Sequence, residues 1–331
     1  MKTIILAEPP KGISAYNASK PAPASAIQVR HDDAKPTITK PGEYIIQIKA
    51  STVIRDNLTW PELYARDPGP PAGLGNDFAG IISEVHPEEE IFKVGDEVYG
   101  MTSAHRGGAW AEFVLVHSDE LSLKPASLSW EEAAAVPLSG MTAVQAFERA
   151  ALQLKTGTAK KVLITGASGG VGLVLIQLAV GAGHHVIAAS SSRLRDEALL
   201  QSLHVNDHVE YARMESLGEI DVVIDTVGGD VLKRCWKVIA QDGALVSIDS
   251  ASFNFVEEHK DIARAHSKAQ AHAEFFIVEP RRKDLEHLTS VVEAGGLKIW
   301  IAQTFPLEAA RQAYELVQSG TAGRGKVVLK V

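Results

Sequence analysis

The stretch Lys161-Val162-Leu163-Ile164-Thr165-Gly166-Ala167-Ser168-Gly169-Gly170-Val171-Gly172 decides the reading of this chain. An apolar run enters a glycine turn, and the turn opens into a second apolar segment at residues 173–179. From Ala167 it reads Ala-x-Gly-x-x-Gly, with alanine in the first of the three glycine places of a dinucleotide fingerprint. Glycines there let backbone N–H groups approach a pyrophosphate, whose charge is favoured by the positive end of the following helix. The strand before, the helix after and a second strand at the right distance all agree. Ala167, Ser168, Gly169, Gly170, Val171 and Gly172 are therefore candidate cofactor contacts, with a merely tight turn as the alternative.

The kind of dinucleotide is set about twenty residues further on, where an NAD site places an acid on the ribose 2′-hydroxyl. Here the segment is Ala189-Ser190-Ser191-Ser192-Arg193-Leu194-Arg195, which contains no acid. Hydroxyls from Ser190, Ser191 and Ser192 and guanidinium groups from Arg193 and Arg195 suit a 2′-phosphate, so NADPH is favoured over NADH. Alternatively the serine run caps the next helix and the two arginines are solvated; both readings can hold together.

Outward from this turn, strands and helices alternate. Strands are expected at residues 161–165, 186–189, near 208, 221–225 and 244–248, with helices starting at Gly170, Arg193 and Gly229, the pattern of a parallel sheet wrapped by helices. Ser129 before Trp130-Glu131-Glu132 reads as a helix N-cap, which puts a domain boundary near residue 125. Residues before that boundary read as short strands (44–50, 79–85, 97–99, 110–116), and the run Asp67-Pro68-Gly69-Pro70-Pro71-Ala72-Gly73-Leu74-Gly75 as a loop. The tail alternates again: strand 274–278, helix 281–294, strand 298–302, helix 307–318, strand 326–330. Periodicity alone does not assign the tail to either domain.

At roughly 150 residues per domain, 331 residues make about two domains. Apolar residues at 45% and charged residues at 22% exclude a disordered or fibrous chain. A net charge of −8 without a long basic run argues against nucleic acid or an anionic membrane and for a small-molecule ligand. The single cysteine, Cys235, can form neither an intrachain disulfide nor a Cys-rich zinc cluster, which fits a reducing cytoplasm. The N-terminal apolar run at residues 4–7 is too short for a signal peptide and reads as a first strand, and no stretch reaches the roughly 20 residues of a membrane span.

Taken together the residues resemble the zinc-independent quinone oxidoreductase and enoyl reductase branch of the medium-chain dehydrogenase/reductase superfamily. The match runs over nearly the whole chain. It is carried by Gly73-Leu74-Gly75-Asn76-Asp77-Phe78-Ala79-Gly80, Val94-Gly95-Asp96-Glu97-Val98, Gly108-Ala109-Trp110-Ala111-Glu112-Phe113, Pro137-Leu138-Ser139-Gly140-Met141-Thr142-Ala143, the glycine turn, Asp221-Val222-Val223-Ile224-Asp225-Thr226-Val227-Gly228-Gly229, and Gly325-Lys326-Val327-Val328-Leu329. The resemblance implies an α/β protein: a GroES-like β-barrel catalytic domain (1–124 and 274–331) and a Rossmann doubly wound parallel-sheet domain (125–273) that binds NADPH. It further implies that Thr142 lies near the nicotinamide, that Arg195 replaces a phosphate-binding lysine, and that Tyr211, Thr226 and Arg324 join the cofactor set.

Where zinc enzymes of the superfamily carry Gly-His-Glu, this chain has Gly75-Asn76-Asp77. The structural-zinc lobe would fall between Tyr99 and Gly107, which supplies no cysteine. Neither metal site is expected. Of the histidines, His204 and His208 read as surface residues, His105 as a solvated loop residue, and Glu88-Glu89-Glu90 as a solvated turn.

Without a Lewis acid, reduction of an activated C=C bond or a quinone is easier than alcohol oxidation. Hydride adds to an electron-poor carbon while hydrogen-bond donors take the charge on a carbonyl oxygen. The donors are harder to name, because Val53 and Ile54 stand where the family often has an Asn-Tyr or Asn-Phe pair before Arg55-Asp56. That change points to a specialised substrate, such as an intermediate of secondary metabolism. Tyr64 is a candidate donor or a packing residue; Arg55 and Asp56 are candidates for catalysis or an ion pair fixing the loop. A conjugated carbonyl or quinone is the expected partner, with an NADPH binder lacking turnover as the alternative. The apolar edge strand at 274–278 predicts a homodimer through the Rossmann sheet.

Overall fold

The computed structural model describes residues 1–9, 12, 14–64, 73–154 and 158–331. Residues 67–72 of the proline- and glycine-rich run lie outside these. The chain divides into two compact units, Met1–Met141 with Glu279–Val331, and Thr142–Val278.

In the second unit, the apolar residues around the glycine turn build a six-stranded sheet, every pair parallel. Its spatial order is Asp207–Glu210, His185–Ser190, Lys161–Ile164, Ile220–Asp225, Ile239–Ser247, His272–Phe275. Counted within the unit this is 3-2-1-4-5-6, the order of a Rossmann sheet, with its reversal between Lys161–Ile164 and Ile220–Asp225. Because ligands of such sheets bind outside the carboxyl ends of the strands where the order reverses, this crevice is where the glycine turn matters. The helix Gly170–Gly181 buries Leu173, Val174, Leu175, Ile176, Leu178 and Ala179. Each fully buried Leu or Ile contributes roughly 1.5–3 kcal/mol, so the turn sits on one of the best-anchored helices of the unit. Leu163, Ile187, Val223, Leu232, Trp236, Leu245 and Phe255 form the core beside it.

The first unit holds a seven-stranded sheet built on the long strand Glu43–Val53. That strand pairs antiparallel with Asp77–Val85, with Phe113–His117 over its first half and with Lys326–Lys330 over its last residues. Glu97–Met101 and Leu121–Leu123 extend one side, and Ile301–Pro306 joins Lys326–Lys330 in parallel on the other. A separate ladder pairs Thr3–Leu6 with Ile27–Arg30. One hydrophobic cluster of the unit gathers around Trp110, Leu58 and Tyr314, and another around Tyr44, Phe78 and Val116.

The division falls later than the expected boundary near 125. Ser129 does cap the helix Trp130–Ala134, through a full capping box with Glu132. That helix, however, packs on Glu43–Val53 and Asp77–Val85 and belongs to the first unit. At the other end the edge strand runs His272–Phe275, not 274–278, and lies in the second unit, so the return to the first falls at Glu279 rather than 274. The tail strand expected at 298–302 lies at Ile301–Pro306.

Candidate active site

The glycine turn is built by close backbone packing. Gly166 has φ +61°, and a Cβ there would stand 2.1 Å from Thr226 Oγ1. At Gly172 a Cβ would lie 2.3 Å from the Gly166 carbonyl oxygen. Both positions therefore admit only glycine at this approach, the geometry that lets backbone come close to a ligand. The Ala167 N–H donates to Ala189 O (3.1 Å) and the Gly169 N–H to Gly166 O (2.9 Å). The first N–H groups of the helix Gly170–Gly181 have no partner inside it by geometry, and they face the end at which an anion is favoured.

Three residues hold this turn. Thr226 donates its hydroxyl to Thr165 O (3.0 Å), and its N–H donates to Thr165 Oγ1 (3.0 Å). The Tyr211 hydroxyl accepts from the Gly166 N–H at 3.2 Å, and burial raises its pKa so that it stays a neutral phenol. Asp225 is fully buried beneath the turn and accepts from Thr165 Oγ1 (2.6 Å), Ser247 Oγ (2.9 Å) and the Gly228 N–H (2.9 Å). Burial pushes its carboxyl up, against these hydrogen bonds.

At the end of the next strand both readings of the serine and arginine run are realised. Ser192 caps the helix Arg193–Ser202, accepting from the Arg195 N–H at 3.4 Å. Ser190 is buried, its hydroxyl bonded to Ser192 O and to His208 Nε2. Arg193 points along its helix to Glu197, with both contacts at 3.4 Å. Arg195 instead turns to Ser191 Oγ (3.1 Å) and to the carboxylate of Asp196, an acid one residue beyond the serine and arginine run. Arg195 and Tyr211 are close enough to influence each other's ionisation. Thus the glycine turn, Ser191, Arg195, Tyr211 and Thr226 come together, while Ser190 and Arg193 are engaged elsewhere. A cradle that a Cβ would fill, a helix N-terminus and an adjacent guanidinium fit a phosphorylated dinucleotide.

His208 corrects an expectation: it is buried, not on the surface, with Nε2 on Ser190 and Nδ1 without a partner among the described residues, and burial lowers its pKa. His204 and His105 are exposed. Glu89 is no merely solvated residue, since it accepts from the Tyr44 hydroxyl and the Gly42 N–H.

The other predicted residues belong to the first unit or its junction. Thr142 is buried in the helix Pro137–Arg149, and Arg324 precedes the strand Lys326–Lys330. Arg55 and Asp56 form an exposed ion pair at 3.1 Å, and the Asp56 carbonyl accepts from Thr59 and Trp60 in the same turn. Tyr64 donates its proton to Leu58 O (2.7 Å) and accepts from the Ala22 N–H (2.9 Å). Its one proton is committed, so it braces three segments of the unit.

Sequence reasoning missed Asp77 and Lys326 as a pair. The buried Asp77 carboxylate takes the Leu138 N–H at 2.7 Å near the start of Pro137–Arg149, the Thr52 hydroxyl, and Lys326 Nζ at 3.1 Å. The signal available was a lysine heading the apolar run of the tail strand. Asn76 gives its amide to the Thr102 and Ser103 carbonyls. Where a zinc site would need free imidazole, thiolate and carboxylate, this loop offers an amide and a carboxylate already paired with a cation. Cys235 is buried in the second unit against Val231 O. Among the described residues no group of three or more His, Cys, Asp or Glu could hold a metal ion.

Models for "Alcohol dehydrogenase GroES-like domain" and "Zinc-binding dehydrogenase" match residues 40–126 and 201–329. The chain is 32% identical to "Probable zinc-binding oxidoreductase, mitochondrial" of Arthroderma benhamiae, over 97% of this chain and 98% of that protein. It is 30% identical to human "NAD(P)H oxidoreductase RTN4IP1, mitochondrial", over 89% of this chain and 83% of that one. The solved structure of the quinone oxidoreductase from Coxiella burnetii superimposes with a TM-score of 0.85 at 27% identity, covering 100% of this chain and 99% of the other. With its GroES-like sheet and its 3-2-1-4-5-6 parallel sheet, the chain belongs to the medium-chain dehydrogenase/reductase superfamily as an oxidoreductase of the quinone oxidoreductase-like family.

Proposed function

We propose that the protein is an NADPH-dependent, zinc-independent reductase of an activated C=C bond in an enone, enoyl or quinone substrate. The observation that carries this reading is the convergence of the glycine turn, Tyr211, Ser191 and Arg195 at the reversal point of the parallel sheet. The turn amides and the helix N-terminus would hold the pyrophosphate, and Arg195 with Ser191 the 2′-phosphate. Thr142 remains the residue proposed near the nicotinamide, Thr226 a cofactor residue at the glycine turn, and Arg324 one near the cofactor from the tail. Bound NADPH would supply hydride to an electron-poor carbon. Zinc independence is supported by the spent carboxylate of Asp77 and the carbonyl-bound amide of Asn76.

One observation favours the second reading, an NADPH-binding protein with little turnover. Val53 and Ile54 offer no side-chain donor, and Tyr64 has given its proton to Leu58 O. For a reductase, the same change at Val53 and Ile54 would suit a specialised substrate, such as an intermediate of secondary metabolism, with the proton drawn from water. We further read the protein as cytoplasmic, from its single cysteine, although relatives such as those of Arthroderma benhamiae and human carry mitochondrial names. Among the described residues no helix is long and apolar enough to cross a membrane. A homodimer through the edge strand His272–Phe275 completes the reading.

The deciding experiment is the oxidation of NADPH and of NADH, with EDTA present, against quinones, enones, enoyl thioesters and simple aldehydes. Chelator-resistant, NADPH-preferring turnover of one conjugated class is the expected result. Tight NADPH binding with no acceptor reduced would select the binder, and loss of activity in EDTA would overturn the zinc-free reading.

A further inference from the structure

We propose that Asp196 is a positioning residue that holds the Arg195 guanidinium ready for the 2′-phosphate of NADPH and so sets the preference over NADH; this rests on the cofactor reading above. Asp196 is the fourth residue of the helix Arg193–Ser202, and its side chain has 0% exposure, whereas that of Arg195 has 58%. Two parallel bonds join them, Nε to Oδ1 at 3.1 Å and Nη2 to Oδ2 at 3.0 Å, and Nη2 also reaches Ser191 Oγ at 3.1 Å. Successive residues of a helix do not normally face each other. For this pair to form, the arginine must fold back over the first turn.

The contrast with Arg193 shows that this is more than a surface ion pair. Arg193 makes the ordinary i,i+4 contact with Glu197, long and exposed on both sides. Arg195 is fixed in position and in plane by a carboxylate that is itself immobile, buried near a helix N-terminus that helps to offset its charge. A free arginine would have to lose its side-chain freedom when phosphate arrives; here that freedom is already lost in the fold, which favours binding. Both bonds to Asp196 use the Nε and Nη2 side of the guanidinium, so Nη1 is the nitrogen left to meet an anion. The pair lies beside Tyr211, which touches the glycine turn through Gly166.

The test is calorimetric titration of the full chain with NADPH, NADH and 2′,5′-ADP, for the wild type, Arg195→Gln, Asp196→Asn and Asp196→Glu. Arg195→Gln should weaken NADPH and 2′,5′-ADP by roughly tenfold or more, as loss of a charge-assisted bidentate donor does, with NADH changed by less than about twofold. Asp196→Asn should show the same selective loss at about three- to tenfold. Asp196→Glu keeps the charge but displaces the guanidinium, so it should lose NADPH selectively too, and it serves if the Asn variant does not fold. Equal losses for NADPH and NADH would make Asp196 merely structural, while no change, or a gain for NADPH, would also overturn the inference. If the Asp196 variants are silent while Arg195→Gln collapses the preference, only the role of Asp196 falls. If Arg195→Gln leaves the preference intact, the assignment of the 2′-phosphate to Arg195 falls with it.

Discussion

Asp77 and Asp225 are both buried carboxylates at strand ends, one in each unit, and they are balanced in different ways. Asp77 has a cation, Lys326, in addition to a helix N–H and a hydroxyl. Asp225 has two hydroxyls and backbone N–H groups and, among the described residues, no cation. The first arrangement ties the tail strand to the centre of its sheet. The second lies under the turn where an anion is proposed to bind, and it organises that turn with neutral dipoles alone. The one carboxylate is thus matched by a fixed cation and the other by dipoles.

Breaking the ionic lock should have the largest effect. Lys326→Met leaves Asp77 buried without its cation and should cost about 3–5 kcal/mol in the unfolding free energy of the first unit, measured by denaturant titration. The double variant Asp77→Asn/Lys326→Met should recover part of that loss, and a single-variant cost below about 1 kcal/mol would put this pair with ordinary surface bridges.

Asp225→Asn should cost less, about 1–3 kcal/mol, because an amide satisfies only some of the donors. Its pH dependence sharpens the comparison. The folded pKa of Asp225 lies above the ordinary carboxyl value, so its contribution is fullest below that ordinary value and is lost as pH rises through the folded pKa. The stability gap between wild type and Asp225→Asn should narrow over that interval; a gap that widens would mean the carboxylate is favoured in the fold.

Smallest is Tyr64→Phe, which removes two neutral hydrogen bonds and should cost about 1 kcal/mol. If turnover is found, its kcat should stay within about threefold, whereas loss of a proton donor would lower it by about 100-fold or more.

Much of the second unit was legible because its signals are local. Gly170 and Arg193 open helices where expected, Ser129 and Ser192 cap as expected, and the strand at residues 221–225 is present as Ile220–Asp225. What stayed hidden depends on distant partners. Leu121–Leu123 is too short to show a period and is a strand only because it pairs with Glu97–Met101. The helices Phe255–Glu258 and Lys260–Ala265 are single turns, below the length at which a helical pattern can be read. His208 looked solvated beside Asn206 and Asp207, yet it faces Ser190 on the neighbouring strand. In the same way nothing near Tyr64 in sequence announces Ala22 as its donor, and nothing in the serine and arginine run shows that Arg195 turns back on Asp196 while Arg193 does not.

The tie between Lys326 and Asp77 also bears on how the protein is made. The long strand Glu43–Val53 and the carboxylate of Asp77 leave the ribosome well before the strand Lys326–Lys330, which pairs with the former and supplies the counter-ion to the latter. All six strands of the parallel sheet are available before it. The inserted unit can therefore be finished during translation, while the unit whose sequence it interrupts must wait, its central strand lacking a neighbour, until Lys326 emerges.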